Sequence, residues 1–179
     1  MALRLEALLA KTEASVEHYL RALDDYTEAE FARARSAHEW SVGQMYQHVT
    51  QAITEYFLPN VRACASGGDG VGRGGKTLGG WLVFLMGSFP PARYRVPKFA
   101  SDAPAQPSIA EARAGLMGAL DAVRAIIVEA ESAPTDCKTH FSRMGWLNAR
   151  EWVQMIELHT RHHLRQKARL DAWLGASKD

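Results

Sequence analysis

The chain has 179 residues, 47% of them apolar and 23% charged, so it can bury roughly two thirds of its unfolded surface and is too apolar for wholesale disorder. Its 21 basic and 20 acidic residues leave a formal net charge of +1, which provides no global field for holding nucleic acid or an anionic membrane. The longest apolar run, Trp81 to Met86, falls far short of a bilayer span, charges interrupt the N-terminus from Arg4 onward unlike a signal peptide, and two cysteines, Cys64 and Cys137, fit reduced thiols in a cytoplasm.

In chain order, the first segment, about residues 2–25, places Leu5, Leu8, Leu9, Thr12, Val16, Tyr19, Leu20 and Leu23 at three- and four-residue steps. That is one apolar stripe on an α-helix. Thr27 and Glu30 then offer a capping box for a short helix or turn. A second box, Ser41 with Gln44, opens a helix through Met45, Val49, Ala52, Ile53 and Tyr56 that is expected to end before Cys64. Pro59 is placed to kink or stop its last turn.

Residues 65–107 break the rhythm. Eight of the 14 glycines lie between Gly67 and Gly80, and five of the seven prolines between Pro90 and Pro107. Within this stretch Trp81 to Met86 reads as a short buried helix or strand, which periodicity does not separate. Ser108 and Glu111 cap a third helix carrying Ile109, Leu116, Leu120, Val123 and Ile127. A second irregular stretch, 132–147, contains Pro134 and Gly145. Asn148 and Glu151 then cap a last helix running to about Leu174, with Gly175 placed as its left-handed stop. Four long amphipathic helices without a sustained period of two predict an all-α four-helix bundle with a long irregular connection between helices two and three. Neither half holds a complete core, so residues 1–179 are read as a single domain.

The chemistry concentrates in the histidines, at 18, 38, 48, 140, 159, 162 and 163. On the last helix the face of Trp152 and Ile156 continues through His159, His163, Gln166 and Leu170. Two imidazoles therefore sit one turn apart on the stripe expected to face the core. One reading is a pair of core histidines, each with its own hydrogen-bond partner. The other is a shared divalent ion, since neutral imidazole suits Zn²⁺, Ni²⁺ and Fe²⁺. His48, three residues after Met45 at the edge of the second helix's stripe, is the natural third ligand. A His159/His162 pair is also sterically possible, although His162 points nearer the stripe's edge. Gln166 is placed either to orient a ligand or to lie as a satisfied buried amide.

Three neutral nitrogen ligands would leave an ion its full charge and an open position, the catalytic rather than the structural pattern. No carboxylate shares the inward stripe, because Glu157 points away from it, and the spacing is not His-Glu-x-x-His, so zinc-protease chemistry is disfavoured. No catalytic residue beyond the metal site is identified. His140 is a candidate for the ion's open side or an anchor of its loop. Gln44 and Tyr46 are candidates for lining a pocket, with helix capping and core packing as their other roles.

Trp40-Ser-Val-Gly-Gln-Met-Tyr-Gln-His48 resembles the Trp-Ser-led helix of the DinB/YfiT-like superfamily, the damage-inducible metal-binding bundles. Asn148-Ala-Arg-Glu-Trp152 followed by His159-Thr-Arg-His-His-Leu-Arg-Gln166 resembles that family's last helix, where His-x-x-x-His precedes Leu-x-Gln. The resemblance implies a four-helix bundle, His48, His159 and His163 as ligands of one divalent ion, and frequent homodimers. Members include transferases and isomerases that use small cellular thiols such as bacillithiol or mycothiol; many others have no established reaction. The glycine-rich 65–80 stretch is longer than the family leads one to expect.

Gly70-Val-Gly-Arg-Gly-Gly-Lys76-Thr77 also matches the phosphate-loop expression, and Gly70, Gly72 and Gly75 match G-x-G-x-x-G. A working phosphate loop needs a buried strand before it, a helix after it and a parallel sheet around it. Here a helix tail precedes it and Leu-Gly-Gly, a poor helix start, follows, so a surface loop is the simpler reading. Arg161, Arg165, Lys167 and Arg169 are expected on a solvated face. Arg93, Arg95 and Lys98 with Tyr94 and Phe99 form a small basic-aromatic cluster suited to an anionic substrate or partner. Together these features predict a metal-dependent enzyme on a small molecule, a thiol S-transferase or a hydrolase, with no nucleic-acid or membrane partner. The alternatives are a non-catalytic metal- or ligand-binding stress-response protein and a nucleotide-binding enzyme.

Overall fold

The computed structural model describes residues 4–67, 71–90 and 103–176, and they are mainly helical. Helix α1 (Leu5–Ala22) runs into a 3-10 turn, Leu23–Asp25, and α2 (Glu28–Ala32) follows. A second long rod joins α3 (Val42–Gln51), a π-helical segment (Ala52–Phe57) and α4 (Leu58–Ser66). Then come α5 (Leu78–Met86), α6 (Ile109–Ser132), a hairpin of β1 (Lys138–Phe141) and β2 (Gly145–Asn148), and α7 (Ala149–Gly175). Helix α1, the α3–α4 rod, α6 and α7 pack against one another. Their shared core includes Tyr19, Met45, Ile53, Leu116, Ile126, Trp152 and Ile156, all fully buried; each such side chain contributes about 1.5–3 kcal/mol. No helix among the described residues is long and apolar enough to cross a membrane.

All four capping boxes form, with both reciprocal hydrogen bonds in each. They fix where the helices start and therefore which way their side chains turn. His48 lies seven residues beyond its cap Ser41 and His159 eleven beyond Asn148, close to two and three whole turns. Pro59 does not stop its helix. An α-helical ladder through residue 59 would need an N–H that proline lacks and would press its ring on the carbonyl four residues back. The π-helical segment just before it relieves this: the Leu58 N–H donates to Ile53 five residues back, and the rod continues past Cys64 to a left-handed Gly67.

Five expectations need correction. Residues 132–147 are not wholly irregular, because they contain β1 and most of β2, paired antiparallel with Thr139 opposite Leu147 and His140 opposite Trp146. The segment Trp81–Met86 is helical but mostly exposed, and Leu-Gly-Gly does open a helix, because Thr77 caps it through the Gly80 N–H at 3.0 Å. Gly175 is not a left-handed stop; α7 passes through it and ends in right-handed geometry at Ala176. Lys167 is buried rather than solvated. Its ammonium donates to Asp171 at 2.7 Å and lies over the Tyr26 ring, and the Tyr26 hydroxyl donates to the same carboxylate at 2.5 Å. Arg165 and Arg169 are exposed as expected.

The glycine-rich segment is explained by the hairpin. Gly72 exchanges backbone hydrogen bonds with Lys138, and the Trp146 N–H donates to Gly75. The Trp146 ring lies on this strip, so that a Cβ at Gly72 or Gly74 would come within 2.6 or 2.1 Å of its atoms. Lys76 is paired with Glu151. Among the described residues the one sheet is this antiparallel hairpin, so the parallel scaffold of a phosphate loop is missing. Gly70 and the basic-aromatic residues Arg93, Tyr94, Arg95, Lys98 and Phe99 lie outside the described residues.

Candidate metal centre

Helices α3 and α7 are held together by a relay of buried hydroxyls. The Tyr46 hydroxyl donates to the Tyr19 carbonyl at 3.0 Å, and the Tyr19 hydroxyl donates to the Thr160 carbonyl at 2.9 Å. Thr160 is the residue after His159, so this relay through α1 fixes the spacing of the two helices at the histidines. Tyr46 is thus core, its ring edge-on to Tyr19 and Phe31. Gln44 is spent on its capping box and on the Pro104 carbonyl at 3.1 Å. Neither is placed as a pocket residue. Tyr19 was not singled out by the sequence, although a tyrosine on an inward stripe needs a partner for its hydroxyl.

The structure brings His48, His159 and His163 together. The Nε2 of His159 lies 3.2 Å from the Nε2 of His48 and 3.2 Å from that of His163. One ligand atom from each residue falls within 4.8 Å of the others. A tetrahedral ion with Zn–N bonds of about 2.0–2.1 Å sets its ligand nitrogens about 3.3 Å apart, so two of the three edges already suit one. A single proton on His159 Nε2 satisfies one of its two contacts; a cation satisfies every lone pair at once. His163 is oriented from behind, its Nδ1–H donating to Gln166 Oε1 at 2.8 Å, which leaves the Nε2 lone pair free. Such an outer partner fixes the tautomer of a ligating imidazole. His159 Nδ1 is buried with no hydrogen-bond partner among the described residues.

Burial keeps these rings neutral. It pushes His48 down to about 4 and His163 down to about 3, and holds His159 well below the usual histidine range, with repulsion from neighbouring imidazoles adding to it. Aromatic rings make the enclosure. Trp40 lies 4.9 Å from the His48 ring and Phe57 meets His159 edge-on at 5.1 Å. His162 stands outside the trio, its ring edge-on to Phe89 and to His163. Glu157 is buried, against expectation, but bound to Arg161. His140 is exposed on the outer face of β1 against Trp146, because its strand neighbour Thr139 takes the inward side. No carboxylate or thiol joins the three imidazoles among the described residues.

The metal-free protein is expected to lose stability on acidification. In the unfolded chain these histidines titrate near 6.5, whereas His48 and His163 in the fold titrate near 4 and 3. Between those values the unfolded state binds more protons, so stability is complete above about pH 6.5 and falls on acidification toward pH 3–4. His48 alone is expected to remove about 3 kcal/mol by pH 4. Urea unfolding of chelator-stripped protein at several pH values measures it. A His48→Gln variant with an unchanged pH slope would refute the attribution.

A family model described as the DinB superfamily matches residues 9–166. No curated protein and no solved structure matches the chain.

Proposed function

Since the chain belongs to the DinB superfamily, we propose that His48, His159 and His163 hold one divalent transition-metal ion, Zn²⁺, Ni²⁺ or Fe²⁺. In this reading the protein is a metal-dependent enzyme acting on a small molecule, a thiol S-transferase or a hydrolase. The observation that carries it is the convergence of three neutral imidazole nitrogens on one point. When bound, such an ion supplies Lewis-acid chemistry that makes a water or a small thiol acidic near neutral pH. The chain's own residues do the rest. Gln166 keeps the His163 lone pair aimed inward, the tyrosine relay sets the distance between the two ligand-bearing helices, and the Trp40 and Phe57 rings limit water around the ligands.

A small cellular thiol as co-substrate fits this donor set, because uncharged ligands leave the ion's charge to a thiolate. Two unpaired cysteines fit a reducing, cytoplasmic setting; burial pushes the Cys64 thiol up and makes it inert. The second reading, a metal- or ligand-binding protein without turnover, is favoured by the lack of a carboxylate beside the three imidazoles among the described residues. The two separate in one screen. Protein reloaded with each metal is offered small thiols with electrophiles, and in parallel esters, amides and lactones. Metal-dependent turnover in either arm supports the enzyme; a fully loaded protein inert in both supports the binding protein.

A further inference from the structure

Helix α5 is built inside out. Leu78, Trp81, Leu82 and Leu85 stand at i, i+3, i+4 and i+7, the spacing that ordinarily marks a helix's buried stripe. Here that stripe faces solvent. With Met86, these residues are 80, 61, 46, 72 and 56% exposed, while Gly80 and Val83 take the inward side. The helix carries no polar or charged side chain at all. A bare apolar stripe of this kind marks a contact surface.

Both ends of α5 are pinned. At its start the Thr77 hydroxyl donates to the Arg143 carbonyl at 2.8 Å and the Thr77 N–H to the Met144 carbonyl at 3.0 Å. Beyond its last turn the Arg161 guanidinium donates to the Gly87 carbonyl at 2.6 Å and that of Arg165 to Ser88 Oγ at 2.7 Å. The helix cannot roll over to hide the stripe without breaking these contacts, so it presents a rigid apolar ridge. At its C-terminal end the ridge runs into a cationic groove. This open groove of about 710 Å³ lies between α1, α7 and the end of α5; Lys11, His18, Arg21 and Arg161 line it, with no carboxylate among the lining residues. Met86 and Leu164 are its apolar walls, so Met86 belongs to both surfaces and joins them. Arg21 faces Glu17 at 3.5 Å and Arg161 binds Glu157. Lys11, and Arg165 one turn beyond Arg161, are exposed and make no ion pair among the described residues. The formal net charge of +1 therefore hides a local positive excess beside the ridge.

We propose that ridge and groove together dock the protein on the surface of an anionic lipid bilayer. Helix α5 lies in the interface with its stripe among the acyl chains, and the groove receives lipid phosphates. A helix that binds this way joins an apolar face to lysines and arginines, with tryptophan at the level of the headgroups. Trp81 stands in the middle of the ridge, and the cations come from α1 and α7 instead of from α5 itself. Nine residues make α5 roughly 13 Å long, too short to cross a bilayer and long enough to lie in one leaflet. A protein partner would need polar or charged positions along the ridge to fix its register, and α5 offers none. A bilayer asks only for apolar area with positive charge beside it. The net charge argues against long-range attraction to a membrane, not against this local contact. The proposal is independent of the metal reading.

Sedimentation of the full chain with sucrose-loaded vesicles is the test. One set is phosphatidylcholine alone, the other phosphatidylcholine with about one third phosphatidylglycerol. Wild type is expected to bind the mixed vesicles at least about tenfold more tightly, with the difference lost near about 0.5 M salt. Leu78→Glu/Leu85→Glu should weaken that binding at least about 100-fold, because two carboxylates would enter the acyl region. Its circular dichroism should match wild type, since both positions are exposed. Leu85→Ser, gentler on folding, should cost about tenfold. Lys11→Gln/Arg21→Gln should cost about 10- to 30-fold on mixed vesicles and nothing on phosphatidylcholine alone. Wild type that stays in the supernatant with mixed vesicles at low salt would overturn the proposal. So would equal binding to both vesicle types, or a double glutamate variant that binds like wild type. Light scattering tests the rival occupant: a change of mass in Leu78→Glu/Leu85→Glu with vesicle binding intact would give the ridge to a second copy and end the proposal.

Discussion

His159→Ala is expected to weaken divalent-metal binding about 100- to 1,000-fold, taking the purified protein from about one ion per chain to nearly none. His159 is the middle member of the three: its Nε2 is the atom that lies 3.2 Å from both other nitrogens. Without it the remaining pair belongs to two different helices with nothing between. Gln166→Ala should cost less, about 10- to 100-fold, because it removes the acceptor that fixes the His163 tautomer and leaves all three ligands in place. His162→Ala should change affinity little, since that ring packs edge-on against Phe89 and His163 from outside the trio. Metal analysis after dialysis and competition with a coloured chelator measure all three. Chelation should also lower the melting temperature of wild type while leaving His159→Ala unmoved, because an ion that binds the native fold alone adds to its stability. Retained metal in His159→Ala would remove the site. Loss in His162→Ala with retention in His163→Ala would instead select the competing pair three residues apart.

What was legible in the sequence was what is local. Each capping box spans four residues, so its partners are neighbours in the chain, and all four are found as hydrogen bonds. The His159/His163 stack is likewise one turn of one helix. His48 was readable from its edge position and from the Trp-Ser resemblance, but its distance to His159 depends on Tyr19, which reaches Thr160 across 141 residues of chain. Long-range partners account for the rest. Gly72 and Gly74 fall inside a stretch that matches a phosphate-loop expression by composition, whereas their reason is the ring of Trp146, far along the chain. Strands of four residues, with one or two inward side chains each, are too short to show a period, which hid the hairpin. Apolar composition does not say whether anything covers a surface, so the exposure of α5 was not readable. A buried lysine reads like a solvated one until Asp171 and Tyr26 are seen around it.

Trp152→Ala is expected to destabilise the fold by about 3–5 kcal/mol, the range for emptying a large aromatic site in a core. Trp152 is fully buried on the stripe that leads to His159, and three parts of the molecule meet on it. Its ring lies 5.7 Å from that of Tyr56, 6.0 Å from Phe57 and 5.6 Å from Phe141. Its Nε1–H donates to Thr139 Oγ1 at 2.7 Å, tying the hairpin to α7. A small residue there leaves a hole, a hydroxyl short of one donor, and a Phe57 ring with no support behind its contact with His159. For a chain of this size the loss corresponds to roughly 6–20 °C in melting temperature. Trp152→Phe keeps most of the volume and loses the hydrogen bond, so about 1–2 kcal/mol is expected. Urea unfolding distinguishes the terms: the midpoint should fall in both variants with an unchanged slope. Metal affinity at low temperature, where Trp152→Ala is still folded, should drop less than in His159→Ala, because the ligands remain and only their backing is loosened. A loss of under about 1 kcal/mol in Trp152→Ala would mean that the hairpin and the π-helical segment do not lean on this ring, and that the histidines are held in place by the tyrosine relay alone.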